Sequence, residues 1–332
     1  MLSDQDERLQ LLKKWLAIHL EPKGLVVKRA SEDASFRRYF RAWSGDATYI
    51  AMDAPPANEN CVPFINVARR LESHGLNVPH IFQEDAKQGF LLLSDLGSTS
   101  YLSKLDAKTV NDLYGDALAA LLKIQSEVPA AGLPPYDDKL LRFEMSLFVD
   151  WFLLQHLKLK LSPEHETVIA DTFGLLAASA LEQPRVFVHR DYHSRNLMVT
   201  PERNPGILDF QDAMDGPVTY DLVSLLRDCY IAWPKVQIEQ WVAGYHDELA
   251  RAGLIKADLP RFRKWFDWMG MQRHLKAIGI FSRLRYRDRK PGYMNDIPRT
   301  MNYVFEVCEQ YPELQAFREL LDRLLIRERL SA

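Results

Sequence analysis

The stretch HRDYHSRN, His189 to Asn196, sets a carboxylate among basic residues and follows it, five positions later, with an amide. Three readings compete: a histidine metal site, a buried ion pair, or an active-site base with a companion ligand. His189 and His193 would share a face only on a helix, and the segment reads as a loop. The residues that follow help to separate the readings. NLMV (196–199) and GILDF (206–210) are short apolar runs joined by TPERNP, the pattern of a hairpin. A hairpin returns to its start, which sets Asn196 beside Asp209, with Asp191 just ahead on the same loop. Amide and carboxylate oxygens are hard ligands that suit Mg2+, which keeps waters and substrate phosphates as its other ligands. A carboxylate not needed by the metal can orient a hydroxyl and accept its proton. Phosphoryl transfer needs little more, because positioning and charge neutralisation supply most of its catalysis.

The rest of the chain gives this loop a setting. At 332 residues the sequence is long for one core and suits two lobes. A hydrophobic share of 47% and a charged share of 26% are ordinary for a globular protein. The net charge of -3 offers no general attraction to nucleic acid or an anionic membrane. Cys61, Cys229 and Cys308 lie far apart without metal-ligand spacing, which points to a reducing, cytoplasmic compartment. The first twenty residues form an amphipathic, charge-laced helix rather than a signal peptide, and no stretch is apolar enough to span a membrane.

Strand-like segments come first: 24–30, 35–43 and 47–53, then 81–84 and 89–97, with the helical pattern of CVPFINVARRLESHGL between the two sets. From about residue 100 the pattern turns to long helices, at 107–127, 138–160, 163–182, 235–252, 260–288 and 313–329. A β-containing interruption covers 185–210. The expected fold is therefore α+β and two-lobed. A small antiparallel sheet carrying one helix, with the N-terminal helix, occupies 1–94, and a larger, mostly helical lobe occupies 95–332.

HRDYHSRN resembles the kinase catalytic loop H-R-D-x-x-x-x-N, and DFQD stands where kinases carry D-F-G. Only QDAMDGPVTY separates Phe210 from Asp221, which leaves no peptide platform and points to a small-molecule acceptor. Over nearly its whole length the chain resembles the aminoglycoside phosphotransferase/choline kinase superfamily, whose fold is protein-kinase-like. DASFRRYFR, MDAPP, FLLLSDLG, HRDYHSRNLMV, GILDFQDAMDGPVTYDLVSLLRD and MQRHLKAIGIF resemble one branch of it. That branch contains bacterial kinases of the anomeric hydroxyl of N-acetylmuramate and N-acetylglucosamine, which serve cell-wall recycling. The resemblance implies ATP and Mg2+ as cofactors, Asp191 as the base, and Asn196 and Asp209 as metal ligands. It also implies Ser35 over the phosphates and the main chain of Ser94, Asp95 and Leu96 against adenine. Asp221 resembles a buried brace of the catalytic loop, and a simple helix cap fits it equally well.

Two departures stand out. SEDASFRR (31–38) has no glycine where kinases cover the phosphates, and Met52 occupies the slot of the strand lysine. Lys28, Arg37, Arg38 and Arg41 are the candidate replacements. The stretch 261–300 is basic, with eleven Lys and Arg against three acids. That disfavours a polycationic aminoglycoside and suits an anion or a solvated face. At about 100° per residue, Arg273, Lys276, Arg283 and Arg287 share one helix face. Candidate acceptor contacts are His193, Arg227, Tyr230, Trp233, Arg273 and Lys276, and GYMNDIPR (292–299) reads as a loop that closes over the substrate. The expectation is a monomeric kinase of a small amino sugar. An amino-alcohol or antibiotic kinase and a nucleotide-binding pseudokinase are the alternatives.

Overall fold

The structure is a computed structural model that describes residues 6–31 and 36–331. The chain forms two compact units, Met1–Ala117 with Asn196–Asp212, and Leu118–Arg195 with Ala213–Ala332.

In the first unit, five antiparallel strands run in the order β1-β2-β3-β5-β4. They are β1 (Val26–Ser31), β2 (Arg38–Ser44), β3 (Ala47–Asp53), β4 (Ile81–Asp85) and β5 (Phe90–Ser94). α1 (Glu7–His19) opens on Asp6, whose carboxylate accepts the Leu9 N–H, and buries Leu12, Trp15 and Leu16 against Phe40, Ala51 and Phe90 of the sheet. α2 (Val62–Ser73) is the helix expected between the two strand sets. α3 (Val110–Glu127) begins in this unit and ends in the other.

The second unit is helical. α4 (Asp138–Leu147) passes without a break into the π-helical turns Phe148–His156, and α5 (Pro163–Leu181) follows. β6 (Arg185–Val188) leads to the HRDYHSRN loop. The hairpin β7 (Leu197–Met198) and β8 (Gly206–Ile207) comes next and clusters with the first unit. There the Ile207 N–H donates to the Asn77 carbonyl and the Asn77 side chain to Thr200. β9 (Met214–Pro217) then pairs with β6, although MDGP has the composition of a turn.

α6 (Tyr220–Leu226), α7 (Lys235–Arg251), α8 (Leu259–Tyr286), α9 (Ile297–Gln310), α10 (Gln315–Arg323) and α11 (Ile326–Ser331) complete the unit. α8 is buried along most of its length. A Cβ on Gly279 would lie 2.3 Å from the carbonyl carbon of Leu147, so this glycine lets α8 touch the backbone where α4 widens.

The segment expected as a loop over the substrate is partly helical. Pro291–Asp296 makes a 3-10 turn and α9 starts at Ile297. Pro298 sits in the first turn of α9, where a missing N–H costs nothing.

Candidate active site

The HRDYHSRN loop is held from below by Asp221, in the first turn of α6. Its carboxylate accepts the His189 N–H at 2.6 Å and the Arg190 N–H at 2.9 Å. Those bonds decide between brace and cap: Asp221 is a brace. They fix Arg190 at φ 78°, a left-handed conformation that a non-glycine residue adopts only when its surroundings hold it there. Burial pushes the Asp221 carboxyl up to about 7, against the pull of the two N–H groups. One residue on, the Asp191 N–H donates to Nδ1 of His189 at 3.2 Å, and the Asp191 carbonyl accepts the His193 N–H at 3.1 Å.

Around Asp191 the second unit gathers charge. Burial alone would raise its pKa, but Lys276, His193, Arg190 and Arg273 together hold it below the ordinary carboxylate value. Asp191 is therefore an anion at neutral pH, ready to accept a hydrogen bond from a hydroxyl. Lys276 and Arg190 both pair with Glu144 of α4, Lys276 at 2.9 Å. The Tyr136 hydroxyl and Gln272 Nε2 also donate to Glu144, and the Lys276 ammonium donates to the Tyr220 hydroxyl at 3.1 Å. Glu144 is only 3% exposed, and its two cations hold its pKa low in spite of that burial.

The candidate acceptor contacts divide into two groups. His193, Tyr230, Arg273 and Lys276 belong to the surroundings of the loop. The His193 ring meets the Tyr230 ring edge-on at 5.3 Å, and Arg273, buried, points Nη1 at the Cys229 sulfur at 3.6 Å. Burial lowers the His193 pKa, so of the groups around Asp191 it is Lys276, Arg190 and Arg273 that carry standing positive charge. Arg227 and Trp233 instead line a cavity of about 160 Å³ with Arg299 and Tyr303, and Arg227 pairs with buried Asp267 at 2.6 Å. The basic face of α8 is likewise divided: Arg273 and Lys276 are enclosed, whereas Arg287 is exposed.

In the first unit the hairpin does what its sequence suggests. Asn196 Nδ2 donates to Asp209 Oδ2 at 3.2 Å, and Gln211 Nε2 donates to the other carboxylate oxygen at 2.7 Å. Asp209 has φ 64° and the Leu208 N–H bonds the Asn196 carbonyl at 2.9 Å, so the two side chains leave a strained, tied turn together.

The Ser94 N–H is engaged by the His80 carbonyl, and the Ser94 hydroxyl accepts the His80 N–H. The Asp95 carboxylate pairs with Arg41 at 2.6 Å and accepts the Gly97 N–H. The Leu96 side chain packs near Gly206. Met52 is fully buried, opposite Tyr39 and Leu91. Of the cations proposed in its place, Arg37 pairs with Glu59, Arg38 with Asp53 and Asp6, and Arg41 with Asp95, while Lys28 lies over the Trp43 ring. Ser35 lies outside the described residues.

Sequence reasoning passed over Glu144, Asp228 and Arg195. Asp228 accepts the Ser194 N–H at 3.0 Å, the Ser194 hydroxyl and the Tyr230 N–H at 2.9 Å, tying the loop to the segment after α6. The acidic residue that closes DLVSLLRD, directly after the mostly apolar LVSLL and Arg227, was the available signal for Asp228. Glu144 had none, because its charged partners, Arg190 and Lys276, lie on distant segments.

Residues 26–265 match the model of a family described as the phosphotransferase enzyme family. A Pseudomonas aeruginosa protein named N-acetylmuramate/N-acetylglucosamine kinase is 47% identical over 331 residues, covering 96% of this chain and 97% of its own. A Pseudomonas putida protein of the same name is 43% identical, covering 97% and 98%. Among solved structures, a choline/ethanolamine kinase family protein from Mesorhizobium loti aligns with a TM-score of 0.61 at 14% identity, covering 95% of this chain and 99% of its own. The ADP-bound aminoglycoside phosphotransferase APH(2'')-Ib aligns with a TM-score of 0.58 at 14% identity, covering 90% and 98%. The fold is the protein-kinase-like fold of these enzymes, and the chain belongs to the phosphotransferase enzyme family.

Proposed function

We propose that this protein is an ATP-dependent sugar kinase that phosphorylates the C1 hydroxyl of N-acetylmuramate, N-acetylglucosamine or both. The observation that carries the chemistry is the Asp191 loop itself, braced by the Asp221 carboxylate through the His189 and Arg190 N–H groups, with Lys276, Arg190 and Arg273 around it. Near-full-length similarity to two kinases named for these sugars supports the acceptor.

In this reading the Asp191 carboxylate orients the sugar hydroxyl and takes its proton as the sugar oxygen bonds to the γ-phosphorus. The bond from that phosphorus to the bridging oxygen breaks, and ADP leaves. Asn196 and Asp209 would hold Mg2+: the Nδ2–Oδ2 contact sets the two side chains together, and an amide oxygen with a carboxylate is a hard donor set that fits the ion. When bound, the ion neutralises charge on the phosphate oxygens. Main-chain groups of Ser94, Asp95 and Leu96 would bond adenine, the Ser94 N–H excepted because the His80 carbonyl engages it. Three free, buried thiols and the use of ATP suit a reducing, cytoplasmic setting.

The test is ADP release with Mg-ATP across N-acetylmuramate, N-acetylglucosamine, glucose, choline, kanamycin and no acceptor. Turnover is expected with the N-acetyl sugars alone. Asp191→Asn should abolish it while ATP binding persists. Activity retained by that variant, or confined to choline or kanamycin, would refute the proposal.

A further inference from the structure

We propose that Arg195 binds the carboxylate of an anionic sugar acceptor and so sets the preference between the two sugars, an inference that rests on the kinase reading above. The other candidate cations of the second unit are already engaged or enclosed. Lys276 and Arg190 share Glu144, Arg227 has Asp267, and Arg273 is buried against the Cys229 sulfur. Arg195 differs from all of them. Its side chain is exposed, and among the described residues it has no ion pair.

The guanidinium is nevertheless held in place. It lies over the Tyr230 ring at 3.6 Å from the centroid, with the Tyr293 ring at 5.5 Å. A ring engages the face of a guanidinium and leaves the in-plane N–H fork for a bidentate partner. The support is itself tied down, because Asp228 accepts N–H groups from both Ser194 and Tyr230, the residue before the arginine and its platform. An arginine held in this way loses less freedom on binding than one swinging in solvent.

Two anions are within reach of the chemistry: an acceptor carboxylate and the transferred phosphoryl group. The surroundings favour the carboxylate. Tyr230 and Tyr293 pack with Phe281 at 6.2 and 5.6 Å, forming an aromatic cluster beside the arginine. Such rings suit the apolar face of a sugar, whereas phosphate is met by N–H groups and cations. N-acetylmuramate differs from N-acetylglucosamine by a lactyl ether that carries a carboxylate, the group a bidentate fork reads.

The experiment compares kcat/KM for the two sugars in the wild type, Arg195→Gln, Arg195→Lys and Tyr230→Leu. Arg195→Gln should lower the ratio of N-acetylmuramate to N-acetylglucosamine by about 10- to 100-fold, the worth of a charged hydrogen-bonded pair, chiefly through KM. Arg195→Lys should recover part of the ratio, and Tyr230→Leu should lose part of it. Equal loss with both sugars would overturn the proposal and assign Arg195 to the phosphoryl group or the loop. No loss, or a wild type active on N-acetylglucosamine alone, would overturn it as well. A wild type inactive on both sugars would bring down the kinase reading and this inference with it. Failure of the Arg195 proposal alone leaves wild-type turnover intact.

Discussion

Substituting Glu144 by glutamine removes one negative charge from a buried cluster that holds two positive ones. Glu144 is 3% exposed, pairs with Lys276 at 2.9 Å and with Arg190, and accepts from Tyr136 and Gln272. A neutral amide leaves both cations enclosed without that counter-charge, a change that typically costs about 3–5 kcal/mol. For a unit of roughly 200 residues, ~1 kcal/mol shifts Tm by about 2–4 °C, so the variant should melt about 6–12 °C lower at the lower end of that cost.

Removing one cation as well should recover stability. Glu144→Gln with Lys276→Met is expected to be less destabilised than the two single changes added together, by about 1–3 kcal/mol. The sign of the pH dependence follows from the depressed pKa of Glu144. Its contribution is complete above the ordinary glutamate value near 4.5 and is lost as pH falls through the folded-state value. Thermal melts of the four proteins between pH 3 and 8 read all of this. Additivity within about 0.5 kcal/mol, or an unchanged acid limb in Glu144→Gln, would refute the reasoning.

Two further outcomes are expected. Asp221→Ala leaves the His189 and Arg190 N–H groups without their acceptor, so it should cost about 1–3 kcal/mol for each buried group and depress kcat by at least tenfold; unchanged kcat would show that the loop holds its own shape. Gly279→Ala places a methyl 2.3–2.5 Å from backbone atoms of Leu147 and Phe148, which cannot move aside as a side chain can. It should destabilise by about 3 kcal/mol or more by urea titration, and a midpoint equal to wild type would contradict the helix contact.

Much of the site could be read locally. Asp191, Asn196 and Asp209 lie in one short stretch, and the NLMV and GILDF runs announce the hairpin that joins the last two, because alternation and turn residues act over a few positions. The three-strand, helix, two-strand order of the first unit followed from the same kind of signal. α9 was passed over because proline and glycine at 291–298 look like punctuation. Only its buried stripe of Met301, Val304, Val307 and Cys308 marks it as a helix.

What the sequence determined by itself was the local inventory: three oxygen-bearing side chains, Asp191, Asn196 and Asp209, in one short stretch, and the order of strands and helices along the chain. The tertiary structure decided which charges are at liberty. Arg190, Arg227, Arg273, Lys276 and Arg195 look alike along the chain, yet Glu144 and Asp267 engage three of them, burial encloses the fourth, and the fifth lies exposed on Tyr230. Ion pairing acts over a few ångströms of space whatever the distance along the chain, so no window of sequence contains it.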